Sequence, residues 1–331
     1  MRASHVLRRV LTAASRPQGS AAVARCASSA ASGAAAADVG TGNAPFGVRA
    51  ALVRGLPSTF ASSLKMQAPG EPIDMQRAQQ EHDAYVALLR ELVPIVIEVE
   101  ADDRYPDAVF IEDTAIVTPS GVAIISLPGA PERRGEVEAV AAALQRLKDG
   151  GGGAGGGRPL IRAIHRIEPP GLLDGGDVLQ VAGHLFVGLS ARTNAAAASQ
   201  LRAALAAAGD ASAVLELPVP HGLHLKSAMS ALDAATLLVS DDAAGRAAEA
   251  GLRAAAPALA ARLAFERLPD PLAANVLRVG AAVVAQGTPG ALAALRALCG
   301  ARGLALRALP GGFREFAKAD GALTCCSILL A

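Results

Sequence analysis

VFIEDTAIVTPSGVAIIS, residues 109–126, reads as strand, turn, strand: two apolar, β-branched runs around a Pro-Ser-Gly turn. The pattern recurs downstream. GGDVLQVAGHLFVGLS (175–190) turns at Ala182-Gly183, LKSAMSALDAATLLVS (225–240) at Leu232-Asp233, and AANVLRVGAAVVAQG (273–287) at Val279-Gly280. Each hairpin precedes a stretch of helical period, at 132–148, 193–208, 242–256 and 289–302. Equivalent hairpins lie about 50 residues apart, stretched once by the glycine run GGGGAGGG at 150–157.

Self-similarity at this period means blades or a solenoid rather than one open sheet. A fifth unit has to come from the two ends. FGVRAALVRG (46–55) supplies a strand followed by a helix at 72–92, and GALTCCSILL (321–330) supplies another strand. Pairing those two strands would leave no exposed edge. The expected architecture is therefore α/β: a five-bladed α/β propeller of ββαβ-type repeats, its ring closed by the N- and C-terminal strands, in a single domain over 46–331. The 150–157 run is expected to be a flexible loop insert. It lacks the following Gly-Lys-Ser/Thr that a phosphate loop needs.

Composition narrows the function classes. The 331 residues carry a net charge of +1, so no nucleic-acid footprint is expected. No apolar stretch is long enough for a membrane span. The 52% hydrophobic fraction owes much to alanine, and aromatics are only 3%, so Leu, Val and Ile must build the core. Four cysteines at 26, 299, 325 and 326 form no disulfide framework. These features predict a reduced, intracellular, soluble protein. Residues 1–45 differ in character: Arg2, Arg8, Arg9, Arg16 and Arg25 precede the first acid, Asp38, in a Ser/Ala-rich background. That is transit-peptide composition, with the mitochondrion as the expected destination and plastid or cytoplasm as alternatives.

Polar residues interrupt the apolar runs near the start of each unit. Asp107, Glu112 and Asp113 fall within the first hairpin segment, Asp174 and Asp177 flank two glycines, His221, His224 and Lys226 open the third unit, and Cys325 and Cys326 lie in the last. Each admits a structural account: turn-forming aspartates, satisfied histidines, a strand-end cap, small buried thiols. A zinc site is open too, although the spacings match no standard zinc module. Jointly, a thiol, an imidazole and an orienting carboxylate make a nucleophilic triad. Further carboxylates around it would hold a cation such as a guanidinium, which pairs bidentately with carboxylates.

PDAVFIEDTAIV, PGAPERRGEV, LDGGDVL, VGLSARTN, GLHLKS and LTCCSIL, in that order, strongly resemble the dimethylarginine dimethylaminohydrolases. The resemblance covers roughly 46–331 and implies the five-bladed fold of the guanidine-modifying enzymes. It implies Cys325 as nucleophile, His224 as general acid/base and Asp174 as the carboxylate orienting it. It further implies that Asp113, with Glu112 beside it, binds the guanidinium. Asp107 would take the substrate α-amino group, and Arg133 and Arg192 its α-carboxylate. Leu64 would belong to a lid, and Ala319 would offer its backbone carbonyl. Cys326 falls where relatives vary and reads as packing, on the opposite face of a strand from Cys325. His221 stands where relatives tend to carry an acid. No cofactor is implied, and soft metals such as zinc could inhibit through Cys325 and His224. The expected partner is a small methylated arginine, on a monomer or homodimer. A deiminase acting on free arginine and a non-catalytic methylarginine binder remain the alternatives.

Overall fold

The first strand, β1 (Ala50–Arg54), is buried at every position, as a strand flanked on both edges and covered on both faces must be. A computed structural model describes residues 47–150 and 158–331, all within one compact unit, 41–331. The basic N-terminal segment and the glycine run at 151–157 lie outside the described residues.

From β1 the chain enters helix α1 (Met75–Leu92) and returns as β2 (Ile95–Val99), parallel to β1. Four ββαβ units follow. The first holds β3 (Ala115–Val117), β4 (Val122–Ile125), helix α2 (Val137–Asp149) and β5 (Ala163–Arg166). The second holds β6 (Val178–Val181), β7 (His184–Leu189), α3 (Ala195–Ala207) and β8 (Ala213–Pro218). The third holds β9 (Met229–Asp233), β10 (Thr236–Ser240), α4 (Ala243–Ala255) and β11 (Ala264–Leu268). The fourth holds β12 (Leu277–Val279), β13 (Ala282–Ala285), α5 (Pro289–Ala301) and β14 (Ala305–Ala308). In every unit the hairpin is antiparallel and the third strand runs parallel to the second. The last strand, β15 (Ile328–Leu330), pairs antiparallel with β1, Leu52 facing Ile328 and Ala50 facing Leu330. The result is five separate three-stranded sheets, one of them built from both ends of the described chain.

Helix starts are written in the sequence. Asp74, Asn194, Asp242 and Thr288 each accept backbone N–H bonds from the first turn of the helix they precede. Such caps contribute about 1 kcal/mol apiece. The apolar faces of these helices cover the sheets in five hydrophobic clusters, each mixing residues from neighbouring units.

Two hairpin turns shift from their expected places. Asp233 stays in its strand opposite Thr236, and its carboxylate accepts the Ala235 N–H at 2.8 Å, which moves the turn to Ala234-Ala235. Val279 likewise pairs with Ala282, and the turn falls on Gly280-Ala281, with Gly280 at φ +56°. The Ala182-Gly183 turn is found where expected, both residues at positive φ.

A larger correction concerns how one edge strand of each sheet begins. It is entered through a single helical turn: Ile111–Thr114, Gly175–Asp177, Leu225–Ala228, Pro271–Ala274 and Thr324–Cys326. Glu112, Asp113 and Cys325 thus sit on turns, not on strands, and Cys325 and Cys326 do not alternate across a sheet. In the last turn the N–H groups of Cys325, Cys326 and Ser327 bond back to the carbonyls of Ala322, Leu323 and Thr324. Backbone donors spent this way cannot join a ladder.

If β15 closes the core, Leu330→Ala, at a fully buried position, should destabilise the protein by about 2–4 kcal/mol. Urea unfolding measures it; a loss under about 1 kcal/mol would show the terminal strand to be dispensable.

Candidate active site

The five turns are tied to one another by buried and partly buried side chains. Glu112 accepts from Lys226 Nζ at 2.6 Å and from Thr324 Oγ1 at 2.9 Å, joining the first, third and last turns. Asn275, at the end of the fourth, donates to the Lys226 carbonyl and to Thr324 Oγ1, and accepts the Thr324 N–H at 3.1 Å. Asp113 Oδ1 accepts the Gly176 N–H at 2.8 Å, linking the first turn to the second. Asp177 Oδ1 accepts the Leu225 N–H at 2.9 Å, linking the second to the third.

That framework sets the reactive groups. His224 precedes its short helix with Nε2 3.0 Å from Asp174 Oδ2 and Nδ1 3.8 Å from Asp113 Oδ1. Asp174 is fully buried; its other oxygen accepts the Gly129 N–H at 2.9 Å, and its own N–H donates to Thr193 Oγ1. It is therefore no turn former bonding its own backbone. The glycines between Asp174 and Asp177 are required by contact: a Cβ on Gly176 would lie 2.5 Å from His224 Nδ1, and one on Gly175 would meet the Glu112 carbonyl at 2.0 Å. Asp177 is structural, held also by Ser190 Oγ at 2.6 Å.

Cys325 opens into a pocket of about 80 Å³ with His224, Asp113, Asp107, Arg133, Arg192, Leu64 and Ala319. Its turn is anchored from α1: the buried Tyr85 hydroxyl donates to the Leu323 carbonyl at 3.0 Å and lies 2.8 Å from Ser327 Oγ. Cys326 is fully buried in the core against which Tyr85 packs. The Leu64 N–H donates to both oxygens of Asp107, at 3.2 and 3.1 Å, and the Met66 N–H to Asp320 at 2.6 Å, so the Leu64–Met66 strap covers the pocket. Glu112, expected beside the guanidinium, does not line this pocket; it lines a second cavity of about 170 Å³ with Lys226 and Thr324.

The electrostatics are lopsided. Burial would depress the imidazolium of His224, but Asp113, Asp174 and Asp177 outweigh it and hold the group at a pKa of about 9. Burial would raise Asp113, yet His224 and Arg133 pull it down to about 2. Cys325 is pushed well up, by burial first and then by Glu112 and Asp113. At neutral pH the pocket thus holds a protonated imidazole and a protonated thiol.

The two arginines are committed to acids. Arg133, 4% exposed, holds Asp113 through NH1 at 2.7 Å and Glu136 through Nε and NH2. Arg192 NH1 lies 3.5 Å from Asp174 Oδ2. Among the described residues, Asp113, Asp174 and His224 are the groups placed closely enough to share a metal ion, with donor atoms within 4.8 Å. Cys325 is not in that set, and a metal at His224 would have to displace the proton that Asp113 and Asp174 help to hold there. His221 is exposed.

Sequence reasoning assigned no role to Tyr85, Asn275, Thr324 or Glu136. Asn275 carried a signal, standing two residues before its strand as Asp113 stands before its own. Tyr85 carried none, since an aromatic on an amphipathic helix reads as core.

A family model described as arginine deiminase matches residues 102–255. Two curated relatives, both N(G),N(G)-dimethylarginine dimethylaminohydrolases, align with the chain. The one from Streptomyces coelicolor is 38% identical over 188 residues, 57% of this chain and 67% of that protein. The one from Pseudomonas aeruginosa is 36% identical over 173 residues, 52% of this chain and 62% of that protein. The sequence matches thus span roughly two thirds of each curated relative. In structure, a cysteine-to-serine mutant of the P. aeruginosa enzyme, complexed with citrulline, superposes with a TM-score of 0.71 at 26% identity, covering 86% of this chain and all of that one. With the motifs in order, the five-sheet fold shared and Asp174, His224 and Cys325 gathered on adjoining turns, the chain belongs to the dimethylarginine dimethylaminohydrolase family.

Proposed function

We propose that the protein hydrolyses Nω-methylated arginines to citrulline, releasing methylamine or dimethylamine through a covalent thiouronium on Cys325. The observation that carries this reading is one small strapped pocket lined by Cys325, His224 and Asp113, with the buried Asp174 held against His224. The five sheets are read as blades around the line where their entry turns meet. The turn-to-turn hydrogen bonds and the β1–β15 pairing support that arrangement.

In this mechanism Asp113 takes the substrate guanidinium and Asp107 its α-amino group. Arg133 and Arg192 face its α-carboxylate, the Ala319 carbonyl accepts from the ammonium, and Leu64 covers it. Glu112 supports the site from below. The Cys325 thiol is uncharged at neutral pH, so the bound cation must favour the thiolate, the thiol proton passing to solvent because His224 already carries its own. The thiolate attacks the guanidinium carbon, and His224, already protonated, gives its proton to the departing amine. Neutral His224 then takes a proton from water, whose oxygen attacks the thiouronium carbon. Collapse breaks the C–S bond and releases citrulline, and the leaving sulfur takes up the intermediate's hydroxyl proton, which restores the resting thiol. Asp174 keeps the imidazole oriented throughout.

Parallel citrulline assays with asymmetric dimethylarginine and free arginine test the reading. Product should form from the methylated substrate, with Cys325→Ser lowering turnover by at least about 10³-fold. Product from arginine alone would make the chain a deiminase, and none from either substrate would make it a binder.

Substrate-assisted thiolate formation has its own test. A cationic amidine alkylator should outpace a neutral amide alkylator of the same shape at Cys325 by about 100-fold beyond their ratio on a free thiol. Equal ratios would rule it out.

Folding should also respond to His224. Its folded pKa is raised, so its stabilisation is complete below the unfolded value near 6.5 and lost as pH rises through about 9. The gap in urea midpoint between wild type and His224→Gln should shrink across that window; a constant gap would contradict the raised pKa.

A further inference from the structure

Asp174 and His224 stand at the same place in their units, each immediately before a single helical turn, Gly175–Asp177 and Leu225–Ala228. A short turn leaves its first N–H groups without partners, and a polar residue in that place ordinarily turns its side chain back to accept one. Neither residue does so. Their side chains meet each other instead, with His224 Nε2 3.0 Å from Asp174 Oδ2. The donors of both turns are left for other residues.

Each turn is capped from the unit before it. Asp113 Oδ1 accepts the Gly176 N–H at 2.8 Å, and Asp177 Oδ1 accepts the Leu225 N–H at 2.9 Å. The N–H of Asp174 itself goes to Thr193 Oγ1 at 3.0 Å. Thr193 and Asp177 are joined in turn. Ser190 donates its hydroxyl to Asp177 Oδ2 at 2.6 Å and its N–H to the Thr193 carbonyl at 3.1 Å, and the Thr193 hydroxyl also bonds Asp177. The links close a ring that runs from Asp174 through Thr193, Ser190, Asp177 and Leu225 to His224 and back. Asp177 and Thr193 are buried, and neither lines the pocket.

We propose that Asp177 and Thr193 are positioning residues for the acid–base pair: by capping the His224 turn and pinning the Asp174 main chain from outside the pocket, they free both side chains to meet. An aspartate at a turn start is drawn to its neighbouring N–H groups. The ring, with Asp113, keeps Asp174 off them. The 3.0 Å contact is thus held from the main chain on both sides, and the imidazole keeps its aim when its proton leaves and returns. The inference rests on the reading of His224 as acid and base in a methylarginine hydrolase.

Thr193→Val keeps the shape of the side chain and removes its hydroxyl, and Thr193→Ser keeps the hydroxyl. The Nε2–H resonance of nitrogen-labelled histidine, identified by its absence from His224→Gln, reports the His224–Asp174 bond without turnover. In Thr193→Val that resonance should broaden or vanish, and kcat for Nω-methylarginine should fall about 10- to 100-fold with KM within about twofold of wild type. Thr193→Ser should recover the resonance and bring kcat back to within about threefold. Should Thr193→Val not fold, Asp177→Asn serves, because its single oxygen cannot accept from Leu225 on one side and Ser190 on the other, and the same two losses should appear. Either readout unchanged, an equal loss in Thr193→Ser, or a rise in KM with kcat preserved overturns the ring's role and leaves the functional reading standing. Wild type that forms no citrulline overturns the functional reading, and the resonance then decides the ring by itself.

Discussion

A carboxylate cannot be buried without partners, and Glu112 finds its partners on two other units: Lys226 and Thr324. Burial raises its pKa, and the Lys226 ammonium opposes that rise. Such a pair adds little net stability compared with a well-packed apolar substitute. It does penalise any arrangement in which the turns fail to meet, because each misplacement leaves a buried charge alone. Asn275 extends the same constraint to the fourth unit, and Asp113 and Asp177 carry it through the second. The hydrophobic clusters press the units together; these polar contacts decide their register.

The site follows from that register. Because the entry turns meet, the first residues of several units come to face one pocket, although they are far apart in sequence. Asp113 and Asp174 lie closest to His224, and Glu112 and Asp113 act on Cys325. His224 is kept protonated and Cys325 is kept from ionising. On the proposed function, such a pocket stays unreactive toward neutral molecules and needs the substrate's own charge to make its thiol a nucleophile.

Much of this was legible in the residues. Hairpin repeats show because Val, Ile and Leu alternate with turn residues at a steady period, and the helices show by their own period, with the structure adding Asp74, Asn194, Asp242 and Thr288 as caps. The resemblance placed Cys325, His224 and Asp174, and the structure gathers them. The entry turns were not legible. IEDT and TCCS are too short for a period, and their apolar flanks read as continuous strand. Nor was the pairing of Arg133 with Asp113, which depends on a depth that no pattern in PERRGEV reveals. Two turn positions slipped by one or two residues for a plainer reason: Asp233 and Val279 fit a strand end as well as a turn.

The pairing of β1 with β15 joins residues such as Leu52 and Ile328, separated by nearly the whole described chain. Contacts of that span are the slowest to form and carry the largest loop-closure cost. The turn bearing Cys325 immediately precedes β15, and Tyr85 on α1 anchors it. A molecule whose closing sheet has opened keeps its caps, its helices and four of its sheets, yet its thiol has lost both anchor and pocket. Reactivity at that sulfur is therefore a gauge of closure, and secondary structure is not.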